Sequence, residues 1–216
     1  MIPGYNVCHC LLTSAHIVYF VPALQMHITF AGMLAGMDTT NQIISQTKKW
    51  ITDVVVGCNF CPFAARELKQ NSIHYQVEPA TTLNICLESF LEECIRLDKE
   101  EMIETTLLIF PNAFQSFDDY LDLVGLAEDH LKQNGYEGIY QVASFHPLYR
   151  FADSTDNDAA NYTNRSVYPM LHLLREESID QALERYADPD QIPERNVRFA
   201  REKGTAYMKK LRDACL

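Results

Sequence analysis

The sequence predicts an α/β fold: a small, mostly parallel sheet of three or more strands, flanked by helices, with a helical C-terminal region. Three observations predict it. Ile73–Glu78, Thr105–Phe110 and Ile139–Phe145 are short, largely apolar segments of strand length. A long stretch with helical apolar spacing separates each from the next, and no Asn-Gly hairpin joins any two. Parallel neighbours need such crossovers. Each run also ends against a proline, at Glu78-Pro79, Phe110-Pro111 and His146-Pro147, and proline cannot donate to a ladder.

The elements follow in chain order. Ile43, Thr47, Trp50, Ile51, Val54 and Val55 recur at helical spacing, so one helix is expected from Asp38-Thr39 to about Val56. Thr39 with Gln42 makes its capping box, Gly57 stops it, and Trp50 belongs in the core. After Gly57-Cys58-Asn59-Phe60-Cys61-Pro62, a short helix is expected over about 63–70. Ile73–Glu78 alternates apolar and polar residues as a strand does. Leu83, Leu87, Phe90, Leu91, Cys94 and Ile95 form the stripe of the next helix. Thr105–Phe110 is almost unbroken in its apolar character, which suits a strand buried on both faces. Tyr120, Leu121, Val124, Ala127 and Leu131 line one side of a helix over Ser116–Gln133, closed by Asn134-Gly135. Beyond the third strand a long polar stretch reaches Ser166. A helix is then expected over Pro169–Glu177, a short one capped by Ser178 and Gln181, and a final one opened by Pro193. The stripe of that last helix is Val197, Ala200, Gly204, Tyr207, Met208 and Leu211.

Composition bounds the function. The chain has 216 residues, 47% apolar and 22% charged, enough for one domain with a core that needs no disulfides. Its net charge of −11 weighs against a general nucleic-acid binder, whose affinity rests on basic residues meeting phosphates. Residues 1–37 hold no Lys, Arg, Asp or Glu. They read as an N-terminal extension outside the fold, with Met37 as the functional start and 38–216 as a single α/β domain. The competing reading is a weak export or membrane signal. It lacks a basic n-region, and His16, Pro22, Gln25 and His27 interrupt the one stretch long enough to span a bilayer. The seven cysteines are odd in number and show no disulfide ladder. Free thiols, a cytoplasmic location and no stable membrane insertion are therefore expected.

Chemistry concentrates at one place. In open α/β sheets ligands bind beyond the carboxyl ends of the strands, so Glu78, Asn112 and His146 are expected to face one cleft. The polar stretch that follows His146 is long for a loop inside a compact domain, and such loops usually carry function. Arg150 and Arg165 can each grip a carboxylate or phosphate through two parallel hydrogen bonds. Asn164, Arg165 and Ser166 lie just ahead of the expected Pro169 helix, whose amino end would favour an anion. His146 titrates near neutrality and is the candidate acid or base. Asn161, Asn164 and Tyr149 would orient the ligand. His172, Arg175 and Glu176, at i, i+3 and i+4 of the expected helix, would share one face. The plainer alternative for each arginine is a salt bridge to Asp153, Asp156 or Asp158.

Cys61, beside Pro62 at a helix start, is a candidate nucleophile. Cys58-x-x-Cys61 has no second ligand pair for zinc. A thioredoxin-like site would need a strand over Thr52–Val56, where a helix fits better. Asp153–Asp158 lacks the glycine and glutamate of a calcium loop, and Cys8-His9-Cys10 is one triplet in the uncharged segment. No metal is expected and no cofactor is assigned. From Glu194 onward seven basic residues face three acidic ones, a bias that complements helix carboxyl ends, with a basic patch for an anionic partner as the alternative.

Three stretches of text carry a resemblance: C-P-F-A at Cys61–Ala64, S-F-H-P-L-Y-R-F-A-D at Ser144–Asp153, and D-A-A-N-Y-T-N-R-S-V-Y-P-M-L-H-L-L-R-E-E-S at Asp158–Ser178. They resemble a family of uncharacterised bacterial proteins, domain of unknown function family 1415, from about Lys48 to Leu183. The resemblance implies an apolar residue where this chain has Cys58, which speaks against a paired-thiol mechanism, and a proline where it has Val167. It implies no activity. The expected function rests on the residues alone: an enzyme acting on a small anionic metabolite through the His/Arg/Asn loop. A non-catalytic small-anion binding module and a CxxC thiol redox protein are the alternatives.

Overall fold

The computed structural model describes residues 30–184, 186 and 188–216, with side chains from residue 39 onward. The readings made for residues 1–29, the Cys8-His9-Cys10 triplet among them, lie outside the described residues.

Four strands form one sheet: β1 (Ile73–Val77), β2 (Thr105–Ile109), β3 (Tyr140–Phe145) and β4 (Met170–Arg175). Their order is β1-β2-β4-β3. β1 pairs with β2 in parallel, whereas β4 runs antiparallel to both β2 and β3. The sheet is therefore mixed and not mostly parallel, and the segment expected as a helix from Pro169 is its central antiparallel strand. Met-Leu-His-Leu-Leu-Arg is a short apolar run, and periodicity cannot separate a buried strand from a helix at that length. The open edges of β2 and β3 decide, because their backbone groups need the partner that β4 supplies. β1, β2 and β3 still point the same way. Their carboxyl ends and the start of β4 meet at one edge.

α3 (Leu83–Lys99) and α4 (Phe117–Gln133) are the crossovers. Ser116 caps α4, its hydroxyl accepting from the Asp119 N–H at 3.5 Å. Both helices cover one face of the sheet, where Phe90, Cys94, Tyr120, Leu123 and Ala127 pack on Leu108, Leu171 and Leu173. The other face packs Leu107, Ile109 and Met170 against Trp50, Ile51, Val54, Ala200 and Met208. With both faces covered, every residue of β2 is buried. That is the burial its apolar run called for.

The first helix differs from expectation at both ends. α1 spans Phe30–Trp50, so Thr39 stands inside it and not at a cap. From Ile51 to Val56 the chain winds as a π-helix, a rare form found mostly as single turns. The Gly57 N–H closes it on the Thr52 carbonyl at 3.0 Å. A Cβ on Gly57 would stand 2.3 Å from the Asp53 carbonyl oxygen, so glycine is required there. The strand that a thioredoxin-like site needs over 52–56 is this π-helix. α2 (Ala64–Gln70) follows as expected. After β4 come α5 (Glu176–Glu184), α6 (Gln191–Lys203) and α7 (Thr205–Asp213). The single final helix is thus two, broken at Gly204, whose φ of +80° is outside the helical range.

Candidate functional site

The carboxyl edge is held together from within. The Tyr120 hydroxyl donates to the Met170 carbonyl at 2.6 Å and accepts from the Phe145 N–H at 3.0 Å, joining the end of β3 to the start of β4. One residue on, His146 is buried. Its Nδ1 accepts from the Leu148 N–H at 3.0 Å, so Nε2 carries the proton and donates to the Phe114 carbonyl at 2.8 Å. The ring lies 4.9 Å from the Tyr120 ring and 5.3 Å from that of Phe117. Burial pushes its pKa down, and the ring is neutral with both nitrogens engaged by backbone.

The loop from His146 to Tyr168 is ordered by its own polar side chains. Asn161, fully buried, accepts from the Phe151 N–H and the Ser154 hydroxyl and donates to the Thr155 carbonyl, at 3.1, 2.7 and 2.8 Å. Asn164 ties the loop back to β3: its carbonyl accepts from the His146 N–H at 3.3 Å, and its amide donates to the Ser144 carbonyl at 3.4 Å. Arg165 donates through Nε to the Tyr149 carbonyl at 2.9 Å and through Nη2 to the Asp156 carbonyl at 3.0 Å. Its guanidinium lies over the Tyr162 ring at 4.9 Å. Tyr149 is half-buried, its ring against Phe117 and Phe151. Trp50 supports the loop from the opposite side, donating Nε1–H to the Arg165 carbonyl at 3.2 Å.

Arg150 is different. It is exposed, and its one partner among the described residues is the Asp156 carboxylate at 3.3 Å. Arg150 and Arg165 therefore converge on one residue, the first on its side chain and the second on its carbonyl. The Asp156 carboxylate is thus engaged by Arg150, and Arg165 meets only the backbone of the same residue.

The remaining residues of interest lie apart from this loop. His172 is in the middle of β4. Its Nε2 donates to the Thr105 hydroxyl at 2.8 Å, and its ring lies 5.7 Å from that of Phe145. Burial lowers its pKa from the ordinary 6.5 to about 4. Arg175 ends β4 at the opposite edge of the sheet, where it donates to the carbonyls of Leu97 and Ile103 at 2.6 and 3.0 Å. On a strand these two, three residues apart, point to opposite faces, so the shared helical face expected for His172, Arg175 and Glu176 does not exist. Glu78 is at the carboxyl edge, with its carboxylate committed to the Ala80 N–H at 2.8 Å and the Ser89 hydroxyl. The Asn112 amide donates to the Pro79 carbonyl at 3.0 Å.

Cys58 and Cys61 are free thiols flanking a turn clasped by α6: Asn196 donates to the Phe60 carbonyl at 2.7 Å, and Arg195 to that of Asn59 at 2.5 Å. Burial pushes both thiols above their ordinary pKa, which disfavours the reactive thiolate. Among the described residues no three His, Cys, Asp or Glu side chains come together to hold a metal. No helix among them is long and apolar enough to cross a membrane.

A family described as a protein of unknown function, domain of unknown function 1415, matches residues 42–210. The chain belongs to this family. The family span begins within α1 and ends within α7, so it takes in the sheet, the loop and most of the C-terminal helices. No curated protein and no solved structure matches the chain.

Within that span the C-terminal helices complete the loop. Arg212 donates to the Pro147 carbonyl at 3.0 Å, Thr205 to the Asn157 carbonyl at 2.7 Å, and Arg201 holds Asp158 through two bonds at 3.1 and 2.7 Å. Between the loop and the Gly204 corner lies an open cleft of about 490 Å³, lined by Asp153, Ser154, Thr155, Asn157, Asp158, Ala159, Arg201, Gly204 and Thr205. Sequence reasoning missed these partners of the loop. Their signal in the sequence is the basic bias after Glu194, which helix carboxyl ends alone would account for.

Proposed function

We propose that the protein binds a small anionic metabolite on Arg150 and Arg165, without turnover. One observation carries the reading: two guanidiniums converge on a single residue, and its carboxylate is 80% exposed. An ion pair this exposed is worth roughly 0–1 kcal/mol, so an incoming carboxylate or phosphate replaces Asp156 on Arg150 at small cost. Arg165 is preorganised by its two carbonyl bonds and its stacking on Tyr162. Preorganisation lowers the entropic cost of binding. The engagement of both His146 nitrogens supports binding over catalysis, since a general base needs a nitrogen within reach of its substrate.

The test is titration of the protein with inorganic phosphate and acetate, followed by calorimetry or NMR. Arg150→Ala should weaken binding about tenfold or more, given roughly 1.5–3 kcal/mol for a hydrogen bond to a charged group. Asp156→Asn should tighten it by removing the competing carboxylate. Equal affinities in all three proteins would sink the proposal. Turnover of a bound metabolite that His146→Gln abolishes with binding retained would restore the enzyme reading.

A further inference from the structure

The loop carries a second uncompensated charge, of the opposite sign, beside the arginine pair. Among the residues lining the cleft, Asp153, Asp158 and Arg201 ionise. Asp158 and Arg201 neutralise each other through their two-bond contact. Ser154 spends its hydroxyl proton on Asn161, and Thr205 spends its own on the Asn157 carbonyl. The Asp153 carboxylate is exposed and makes no hydrogen bond or ion pair among the described residues. The cleft therefore has one net negative charge to offer a ligand. Across the loop, Arg150 meets the Asp156 carboxylate and Arg165 its backbone carbonyl, so among these contacts two guanidiniums stand against one carboxylate and one positive charge is left over.

These two sites are close. Arg150 and Asp153 are three residues apart, and the chain between them folds back, with the Ser154 N–H bonded to the Phe151 carbonyl at 3.1 Å. Even a fully extended chain would separate their Cα atoms by no more than about 11 Å. Asp156, to which both arginines bond, stands in the chain between Thr155 and Asn157, both of which line the cleft.

We infer that the ligand is a small zwitterion, an amino acid or a similar ammonium-bearing anion, whose acidic group meets Arg150 and Arg165 and whose ammonium enters the cleft beside Asp153. The inference rests on the anion-binding reading and adds the ligand class to it. A bare anion leaves the Asp153 carboxylate without a partner. A zwitterion satisfies both ends of the loop and brings no net charge to a chain that is already at −11. The ammonium can also donate to the lone pairs of the Ser154 hydroxyl, whose proton is already committed.

The experiment titrates the full chain with ω-amino acids of two to four carbons, and with the plain carboxylates and plain amines of the same lengths. One of the amino acids should bind at least tenfold more tightly than its carboxylate, and the plain amine more weakly than either. Asp153→Asn, a change at an exposed position, should bring that amino acid down to the affinity of the carboxylate and move the carboxylate itself less than twofold. If carboxylates bind and the amine adds nothing, or if Asp153→Asn keeps the preference, the zwitterion inference is overturned and the anion reading stands. If neither carboxylates nor amino acids bind, both are overturned.

Discussion

The two edges of the sheet each hold an arginine that grips backbone carbonyls and stacks on a tyrosine, yet their surroundings differ. At the amino edge Arg175 bonds to the carbonyls of Leu97 and Ile103 and lies over Tyr140. The carboxylate beside it, Asp98, accepts from the hydroxyls of Tyr136 and Tyr140 at 2.9 and 2.7 Å, so both of its oxygens are engaged. At the carboxyl edge Arg165 bonds to the carbonyls of Tyr149 and Asp156 and lies over Tyr162. The carboxylate there, on Asp156, is open to solvent and holds a second, exposed arginine. Two phenols around a carboxylate leave nothing for a ligand. A second guanidinium on an exposed carboxylate leaves the charges uneven and open to solvent, which is what the proposed anion site relies on. Each arginine ties backbone carbonyls together, and its neighbours decide whether the knot is closed.

The largest expected effect breaks the carboxyl edge from behind. Trp50 is 1% exposed, packs edge-on to Phe145 at 5.1 Å and holds the Arg165 carbonyl. Trp50→Ala should cost about 3–5 kcal/mol of stability, as large aromatic truncations do. Trp50→Phe keeps most of the packing and removes the indole bond, so it should cost about 1 kcal/mol. Denaturant unfolding of the two variants measures the difference. A Trp50→Phe variant as stable as the parent would show that the bond to the loop is irrelevant.

A pair of substitutions sharpens the comparison at intermediate size. Arg165→Met and Arg175→Met each strand two carbonyls and should each cost about 2–4 kcal/mol, since unsatisfied buried groups cost roughly 1–3 kcal/mol apiece. Only Arg165→Met should also weaken phosphate binding. Weakened binding in Arg175→Met, measured where that variant is fully folded, would mean that the edges are not independent.

The smallest effect is in pH. His146 belongs to the carboxyl edge and His172 to the middle of β4, while the amino-edge knot of Arg175, Asp98, Tyr136 and Tyr140 has no histidine. Both histidines are held neutral by burial, with His172 lowered from 6.5 to about 4. The unfolded chain therefore takes up protons first as pH falls. The stability these groups contribute is whole above about 6.5 and is lost as pH drops toward 4. Unfolding free energies measured between those limits should fall less steeply in His172→Gln than in the parent. Parallel profiles would show that His172 is not the group responsible.

Much of this was readable in the chain itself. β1, β2 and β3, their common direction and the α3 and α4 crossovers follow from apolar period, length and proline placement. These are local properties, and nothing distant overrides them. The sequence also marks the His146–Tyr168 loop as the place where polar chemistry gathers, and it picks out Arg150 and Arg165. What it leaves open is how each side chain is spent. His146 reads as a proton carrier until the Leu148 N–H and the Phe114 carbonyl take both nitrogens, and Phe114 is 32 residues away. Met170–Arg175 reads as a helix until the open edges of β2 and β3 claim its backbone. The partners that make the difference come from distant parts of the chain, Arg201 and Arg212 from the last helices and Trp50 from the first. Their donors and acceptors are the same in any fold, and only the tertiary structure determines which of them are used up and which remain for a ligand.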